Sequence, residues 1–389
     1  MIAAKKAKTA FKKAFSRNPA RVFFSPGRVE ILGNHTDHNH GLAIASCIDR
    51  GITAAVRKND DGCIQIASVG FRPFTFYVDE LKLVEAEKGS SLALAKGVCR
   101  AMKDRGYQIG GFQAALISDI QAGSGLSSSA AIECLIAKIL DVLYNDGNMD
   151  PAEMAAIGKY AENEYFGKAC GLLDQSAIAY GGVNLLDFDS PKGVEVRPLQ
   201  YRLPLHCFLI NTGSSHAGLD ALYKAIPDGM FKVAKDMLGV DYLRDASKED
   251  FMKAMSVGNL AVKEGDKLMA QHFYDECERV EAGAKALETN DSLSFLQTLR
   301  ESQTSMATFL HNTMVPGKYM QSPQQAVDLA TPFLKEGAAR MSGGGFAGSV
   351  LCYCYPTNAP AFYKAISSYY GVENVYEIAF LDHGPVEIE

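Results

Sequence analysis

The residues whose types and spacing suit chemistry begin with Gly123-Ser124-Gly125-Leu126-Ser127-Ser128-Ser129. Two glycines let the backbone pass close to a ligand. Three hydroxyls, with the free N–H groups of a starting helix, make a pocket biased towards anions, phosphate above all. The same residues also read as a serine-rich N-cap behind a glycine turn. Two familiar phosphate loops are excluded, because no lysine follows until Lys138 and Ser128 stands where the third glycine of G-x-G-x-x-G belongs.

A second cluster, Pro26-Gly27-Arg28-Val29-Glu30-Ile31-Leu32-Gly33-Asn34-His35-Thr36-Asp37-His38-Asn39-His40-Gly41, runs from an apolar-polar alternation into a dense polar loop. Asn, His, Asp and Thr together supply donors and acceptors in several directions, as a polyhydroxylated ligand requires. His35, His38, His40 and Asp37 also invite a zinc reading, but no second His/Asp pair downstream has ligand spacing. A solvated loop without a ligand is the remaining alternative. A third group, Cys170-Gly171-Leu172-Leu173-Asp174-Gln175, places Asp174 in the first turn of a mostly apolar helix. An acid there gains from the positive helix end, yet Leu172, Leu173 and Ala177 imply partial burial, which makes a bare surface charge the weaker reading.

Holding these groups takes strands and helices that the patterning locates. The apolar run Gly111 to Ile120 reads as a buried strand, and Ile132, Leu135, Ile136, Ile139, Leu140 and Leu143 fall at helical spacing, so the glycine loop joins strand to helix. Residues 43 to 79 alternate as strands around the turn Asn59-Asp60-Asp61-Gly62, and a helix covers Leu92 to Met102. Asp150-Pro151-x-Glu153 starts a helix that carries Tyr160, Glu162 and Tyr165 and stops near Gly167. Leu205 to Asn211 is a strand before the polar turn Thr212 to His216. Residues 230 to 313 are largely helical, with Glu276, Glu278 and Lys285 expected on polar faces. A second glycine-rich loop, Ser342-Gly343-Gly344-Gly345-Phe346-Ala347-Gly348, leads into the strand Val350 to Tyr355, and such a loop favours close approach to a ligand or to another part of the chain.

The 389 residues, 47% hydrophobic and 22% charged, suffice for a sizeable core and imply about two domains. A net charge of −6 gives no general reason to expect nucleic acid, and no apolar run approaches the ~20 residues that span a bilayer. Nine cysteines without paired metal spacing favour reduced thiols and a cytoplasmic protein. The basic, acid-free first 29 residues could pass for a transit peptide, but Ile2, Ala7, Phe11 and Phe15 fit a basic surface helix ended at Asn18-Pro19.

Taken in order, Pro26 to Gly41, Gly123 to Ala131 and Ser342 to Gly348 resemble the three motifs of the GHMP small-molecule kinases, and within them the galactokinases. The first is similar to P-G-R-V-N-L-I-G-E-H-T-D-Y-N-x-G, the second to G-x-G-L-S-S-S-A and the third to G-A-R-M-T-G-G-G-F-G-G. Ala161-Glu162 through Gln175 resembles A-E-H…C-G-I-M-D-Q, and the likeness spans most of the chain. The resemblance implies an α+β, two-lobed GHMP kinase fold. Its S5-like lobe would be residues 1–195 and its ferredoxin-like lobe residues 196–389, with the active site in the cleft between them.

The resemblance further implies ATP and Mg2+, a small-molecule sugar, and phosphorylation at the anomeric hydroxyl, with no nucleic-acid or membrane partner. Gly123, Ser124, Gly125, Leu126, Ser127, Ser128 and Ser129 would wrap the ATP phosphates, and Ser129 and Glu162 would hold magnesium. Asp174 would face the C1 hydroxyl, steadied by Arg28. Asn34, His35, Asp37, Gly171 and Tyr223 would line the sugar. The chain departs from the family at Glu30, Asn34 and His38, where galactokinases carry asparagine, glutamate and tyrosine. It also lacks an arginine pair after Tyr223, and Ala347 and Ser349 replace Gly and Cys. Asn34 is expected to face C6 of the sugar. Two charges ~4 Å apart repel by about 4 kcal/mol at an effective dielectric near 20, so losing a glutamate there would admit galacturonate beside galactose. N-acetylgalactosamine is a further alternative. A sugar and nucleotide sensor is disfavoured by the intact phosphate loop, and a dehydrogenase by its incomplete fingerprint. No oligomeric state is read from the sequence.

Overall fold

The computed structural model describes residues 2–120, 123–168, 170–190, 193–215, 218–257 and 262–389, so His216 of the polar turn lies outside the described residues. Apolar residues on both faces of Arg21–Leu32 (β1) make it a covered strand, and β2 (Leu42–Lys58) runs antiparallel beside it. Register shifts at Pro26/Arg28 and Glu30/Leu32 bend β1 where its functional side chains leave it. The larger sheet continues through β5 (Phe112–Ser118), β3 (Cys63–Ser68) and β4 (Phe74–Tyr77), and among the described residues only β3 and β5 pair in parallel. The other half of β2 pairs with β6 (Val183–Asp187), which carries β7 (Glu195–Leu199), and β12 (Val386–Glu387) returns to β1. This sheet therefore draws strands from beyond residue 195.

Side-chain alternation decides what covers each face. Ala55 and Ala115 meet Ala7 and Phe11 of helix α1 (Ile2–Phe15), while Ala54, Val56, Ala114 and Leu116 face the main core. That core takes in α2 (Ser91–Asp104) and α3 (Ser128–Tyr144). The expected helix start at Asp150 is present, since its side chain accepts from Ala152 N at 2.8 Å ahead of α4 (Pro151–Tyr160). A π-helical turn, Ala161–Phe166, follows and ends at Gly167, whose φ of 85° lies in the left-handed region. Wide turns of this kind recur at functional sites, and this one carries Glu162. Asp174 sits in the first turn of α5 (Leu173–Tyr180).

Helices α6 (Asp220–Lys232), α7 (Lys248–Val257), α8 (Glu264–Glu288) and α9 (Ser292–Ser305) come between β8 (His206–Asn211) and α10 (Pro323–Leu334). Strands β9 (Ala338–Ser342) and β10 (Ser349–Cys354), helix α11 (Ala359–Tyr370) and β11 (Val375–Ile378) complete the smaller antiparallel sheet, ordered β11-β8-β10-β9. Within it the strands run fourth, first, third, second, and the order β8, helices, β9, β10, α11, β11 is the split βαβ arrangement of the expected ferredoxin-like lobe. Phe208, Ile210, Val350 and Cys352 pack on α10 and α11, while Leu209, Leu351 and Tyr353 join the core of the larger sheet. Both sheets therefore share one apolar interior. Among the described residues no helix is long and apolar enough to cross a membrane.

Candidate active site

Asp174 is the point at which the elements meet. Arg28, delivered by the bend in β1, donates from Nε to Asp174 Oδ1 at 2.7 Å and from Nη1 to Gly125 O at 2.6 Å. Ser127 donates its hydroxyl to the other carboxylate oxygen, Oδ2. Burial works against the charged form of Asp174, but the Arg28 guanidinium, with Lys168 and the Ser127 hydroxyl, outweighs it and holds the carboxyl below its ordinary range. One carboxylate thus ties β1, the glycine loop and α5 together and stays ionised.

The glycine loop has the geometry its composition implies. Gly123 and Gly125 adopt φ of 77° and 75°, and a Cβ on Gly125 would stand 3.6 Å from Gly348, so the two glycine loops approach each other. Ser349 donates its hydroxyl to Ser124 O across that approach. Ser127 is left-handed too, with φ of 55°, and does not cap α3 because its hydroxyl is turned to Asp174. Ser127 was expected on the phosphates; in this structure its side chain serves the carboxylate instead. The first N–H groups of α3 keep no side-chain cap, which leaves a positive helix end for an anion.

Behind the loop, Ser129 donates to Glu162 Oε1 at 3.0 Å, and Gln175 Nε2 bridges Glu162 Oε2 at 2.8 Å and Glu133 Oε2 at 3.0 Å. Burial, reinforced by Glu162, pushes Glu133 well above the usual carboxyl range. A hydroxyl and a carboxylate are hard oxygen donors, and magnesium is commonly held by one or two carboxylates together with substrate phosphates and water. Ser129 and Glu162 fit such an ion. Among the described residues no cluster of three His, Cys, Asp or Glu could hold a metal without such outside ligands.

Across from Asp174, a Cβ on Gly171 would lie 1.9 Å from Asp37 Oδ2, so only glycine lets Asp37 reach this place. Burial, then Asp174 and Glu30, raise the Asp37 carboxyl to about 6. The histidines form a directional chain. His35 Nε2 lies 2.9 Å from Gly344 O, which only accepts, so Nε2 carries the proton and His35 Nδ1 accepts from His38 Nε2 at 3.4 Å. His38 Nδ1 then accepts from Asn39 Nδ2 at 3.1 Å. Both rings have lowered pKa values, mainly through burial. Tyr223 donates to Gly345 O at 2.5 Å and meets Phe346 edge-on, which anchors it to the second glycine loop.

Asn34 corrects the sequence reading. It is fully buried, donating to Glu30 Oε1 at 3.1 Å and Gly343 O at 2.7 Å, and its Oδ1 accepts from Asn312 Nδ2 at 2.8 Å. No donor of its amide is left for a sugar. His35 likewise has both ring nitrogens engaged. Glu276 was expected on a polar helix face, yet it is fully buried and accepts from Gly33 N at 2.9 Å, Ser302 Oγ at 2.7 Å and Arg279 Nε at 2.7 Å. Despite burial, Arg279 and then His272 and Arg340 hold its carboxyl well below the ordinary range. His272, four residues earlier, reaches Asn34 O at 2.9 Å. His272 and Glu276 at helical spacing beside the apolar Phe273 and Tyr274 were the available signal for this buried support of the sugar loop.

Sequence models of two families match the chain. The galactokinase galactose-binding signature covers residues 9–58, and the GHMP kinase N-terminal domain covers residues 93–182. The chain is 29% identical to a galactokinase of Glaesserella parasuis over 97% of each protein. It is 28% identical to one of Streptomyces coelicolor over 92% of this chain and 90% of the relative. The solved Lactococcus lactis galactokinase complexed with galactose superposes with a TM-score of 0.84 at 26% identity, covering 98% of both chains. The Methanococcus jannaschii mevalonate kinase shares the fold, with a TM-score of 0.67 at 15% identity.

Proposed function

We infer that this chain, which belongs to the GHMP kinases and within them to the galactokinases, transfers the γ-phosphoryl group of ATP to the C1 hydroxyl of D-galactose. The observation that carries this reading is the meeting of Asp174 with Arg28 and Ser127, because it places an ionised acceptor at the mouth of an anion-binding loop. Phosphoryl transfer asks for positioning, cationic stabilisation of developing charge and a group that orients the nucleophile. Asp174 supplies the last of these. Held below the ordinary carboxyl range, it orients the C1 hydroxyl and accepts its proton late, once the phosphoryl group has largely left ADP.

Arg28 fixes one carboxylate oxygen through Nε, holds the glycine loop through Nη1 on Gly125 O, and faces the transferred group. The uncapped start of α3 and the 123–129 backbone receive the phosphates. Ser129 and Glu162 hold magnesium, which when bound neutralises phosphate charge. Asp37, brought in by Gly171, accepts from ring hydroxyls, and Tyr223 borders the same cleft. We take the lobes as 1–195 and 196–389, with β7 and β12 contributed back to the first sheet, a division supported by the start of the smaller sheet at β8.

Galacturonate is disfavoured by a specific contact. Asn34 was expected to receive an acid at C6, but it is fully buried with its amide donors spent on Glu30 and Gly343 O, so it offers a C6 carboxylate no donor. A coupled assay of ADP release with galactose, galacturonate and N-acetylgalactosamine, with phosphorus NMR of the product, tests the reading. Turnover with galactose to a C1 phosphate ester is expected. Binding of galactose and ATP without ADP release would identify a sensor instead.

A further inference from the structure

The ammonium of Lys168 lies 3.0 Å from Glu162 Oε1, the same oxygen that accepts the Ser129 hydroxyl. Glu162 is buried, whereas the Lys168 side chain is half exposed, so a cation open to solvent closes off a carboxylate that is not. The backbone holds it there as well, since Lys168 N donates to Glu162 O at 3.1 Å directly after the left-handed Gly167. Among the described residues, no hydrogen bond or ion pair joins Lys168 to the phosphate loop or the sugar loop.

We propose that Lys168 is a catalytic cation of the transfer: it sits on Glu162 before nucleotide binds, gives up that oxygen to the divalent metal, and moves to the transferred phosphoryl group. This rests on the kinase reading above. Ser129, the other residue fitted to the metal, touches Oε1 while Gln175 holds Oε2, so a metal shared by Ser129 and Glu162 would meet Oε1, and a metal and an ammonium on the same oxygen repel. Displaced, the lysine has a flexible stem and a compact charge in a cleft about to receive phosphate oxygens. Arg28 does not make this move, being 6% exposed and committed to Asp174 and Gly125 O. Two cations then act on the phosphoryl group from different elements, one fixed and one mobile.

The test compares wild type with Lys168→Met and Lys168→Arg. Manganese binding is followed by electron paramagnetic resonance with a non-hydrolysable ATP analogue, and separately with ADP. In Lys168→Met, metal should bind several-fold more tightly, because no ammonium has to be displaced. At saturating metal the analogue should bind about tenfold more weakly, as for a lost charge-assisted contact, with ADP affinity unchanged. The turnover number should fall with the analogue's affinity, and Lys168→Arg should recover part of both. A metal midpoint within about twofold of wild type would overturn the shared oxygen, and equal losses for analogue and ADP would overturn the contact with the transferred group. The binding measurements contain no sugar, so a wild-type chain inactive on galactose would overturn the substrate assignment while leaving Lys168 to be judged on its own.

Discussion

Asn34 donates to Glu30 across 3.1 Å, and these are the two positions at which the chain exchanges an amide and a carboxylate relative to the galactokinase pattern. The pair is preserved while its charge moves onto β1, where Arg340 Nη2 lies 2.9 Å from Glu30 Oε1. Asn34→Glu alone would set two carboxylates together in a buried site and should cost about 3 kcal/mol or more. Glu30→Asn alone removes the nearest carboxylate from the fully buried Arg340. The double exchange should recover at least half of the summed loss in denaturant unfolding. Additivity to within about 0.5 kcal/mol would show that the positions are not coupled.

Asp174→Asn keeps the size of the side chain but gives Arg28 and Ser127 a neutral partner. Turnover should fall by about a hundredfold or more, with nucleotide affinity nearly intact. Calorimetry beside a coupled assay decides the matter. A loss in rate within about tenfold, or nucleotide affinity lost in step with the rate, would remove Asp174 from its role.

The pH dependence should separate sugar binding from turnover. With Asp37 raised to about 6 and Asp174 lowered, the galactose KM should rise as pH falls through 6 while kcat holds. For stability the sign is opposite to that of a salt-bridged acid. The fold binds the Asp37 proton more tightly than the unfolded chain does, so this stabilisation is present at low pH and is lost as pH rises through about 6. Asp37→Asn should flatten both trends, and an unaltered KM profile in that variant would count against Asp37 as a sugar ligand.

The serines should divide by partner. Ser129→Ala and Glu162→Gln should raise the magnesium requirement, since both touch the proposed metal oxygens. Ser127→Ala should instead lower kcat with an unchanged magnesium titration, because its hydroxyl is spent on Asp174. A magnesium curve that moves with Ser127→Ala and not with Glu162→Gln would reverse the assignment.

The sequence alone determined the elements and the places where chemistry could occur. The 3.6-residue spacing after Ser129, the two-residue alternation of β2, the Asp150-Pro151 start and the glycines at 123 and 125 depend on near neighbours in the chain, and such signals are written locally. Asp174 in the first turn of a helix was legible for the same reason. Which polar group each side chain would choose was not. Asn34 finds Gly343 O from 309 residues away, Glu276 finds Gly33 N from 243, and Ser127 finds Asp174 from 47. Those choices follow from desolvation: once packing removes water, a buried polar group must take the partner that a distant part of the chain presents, and only the assembled structure brings that partner within reach.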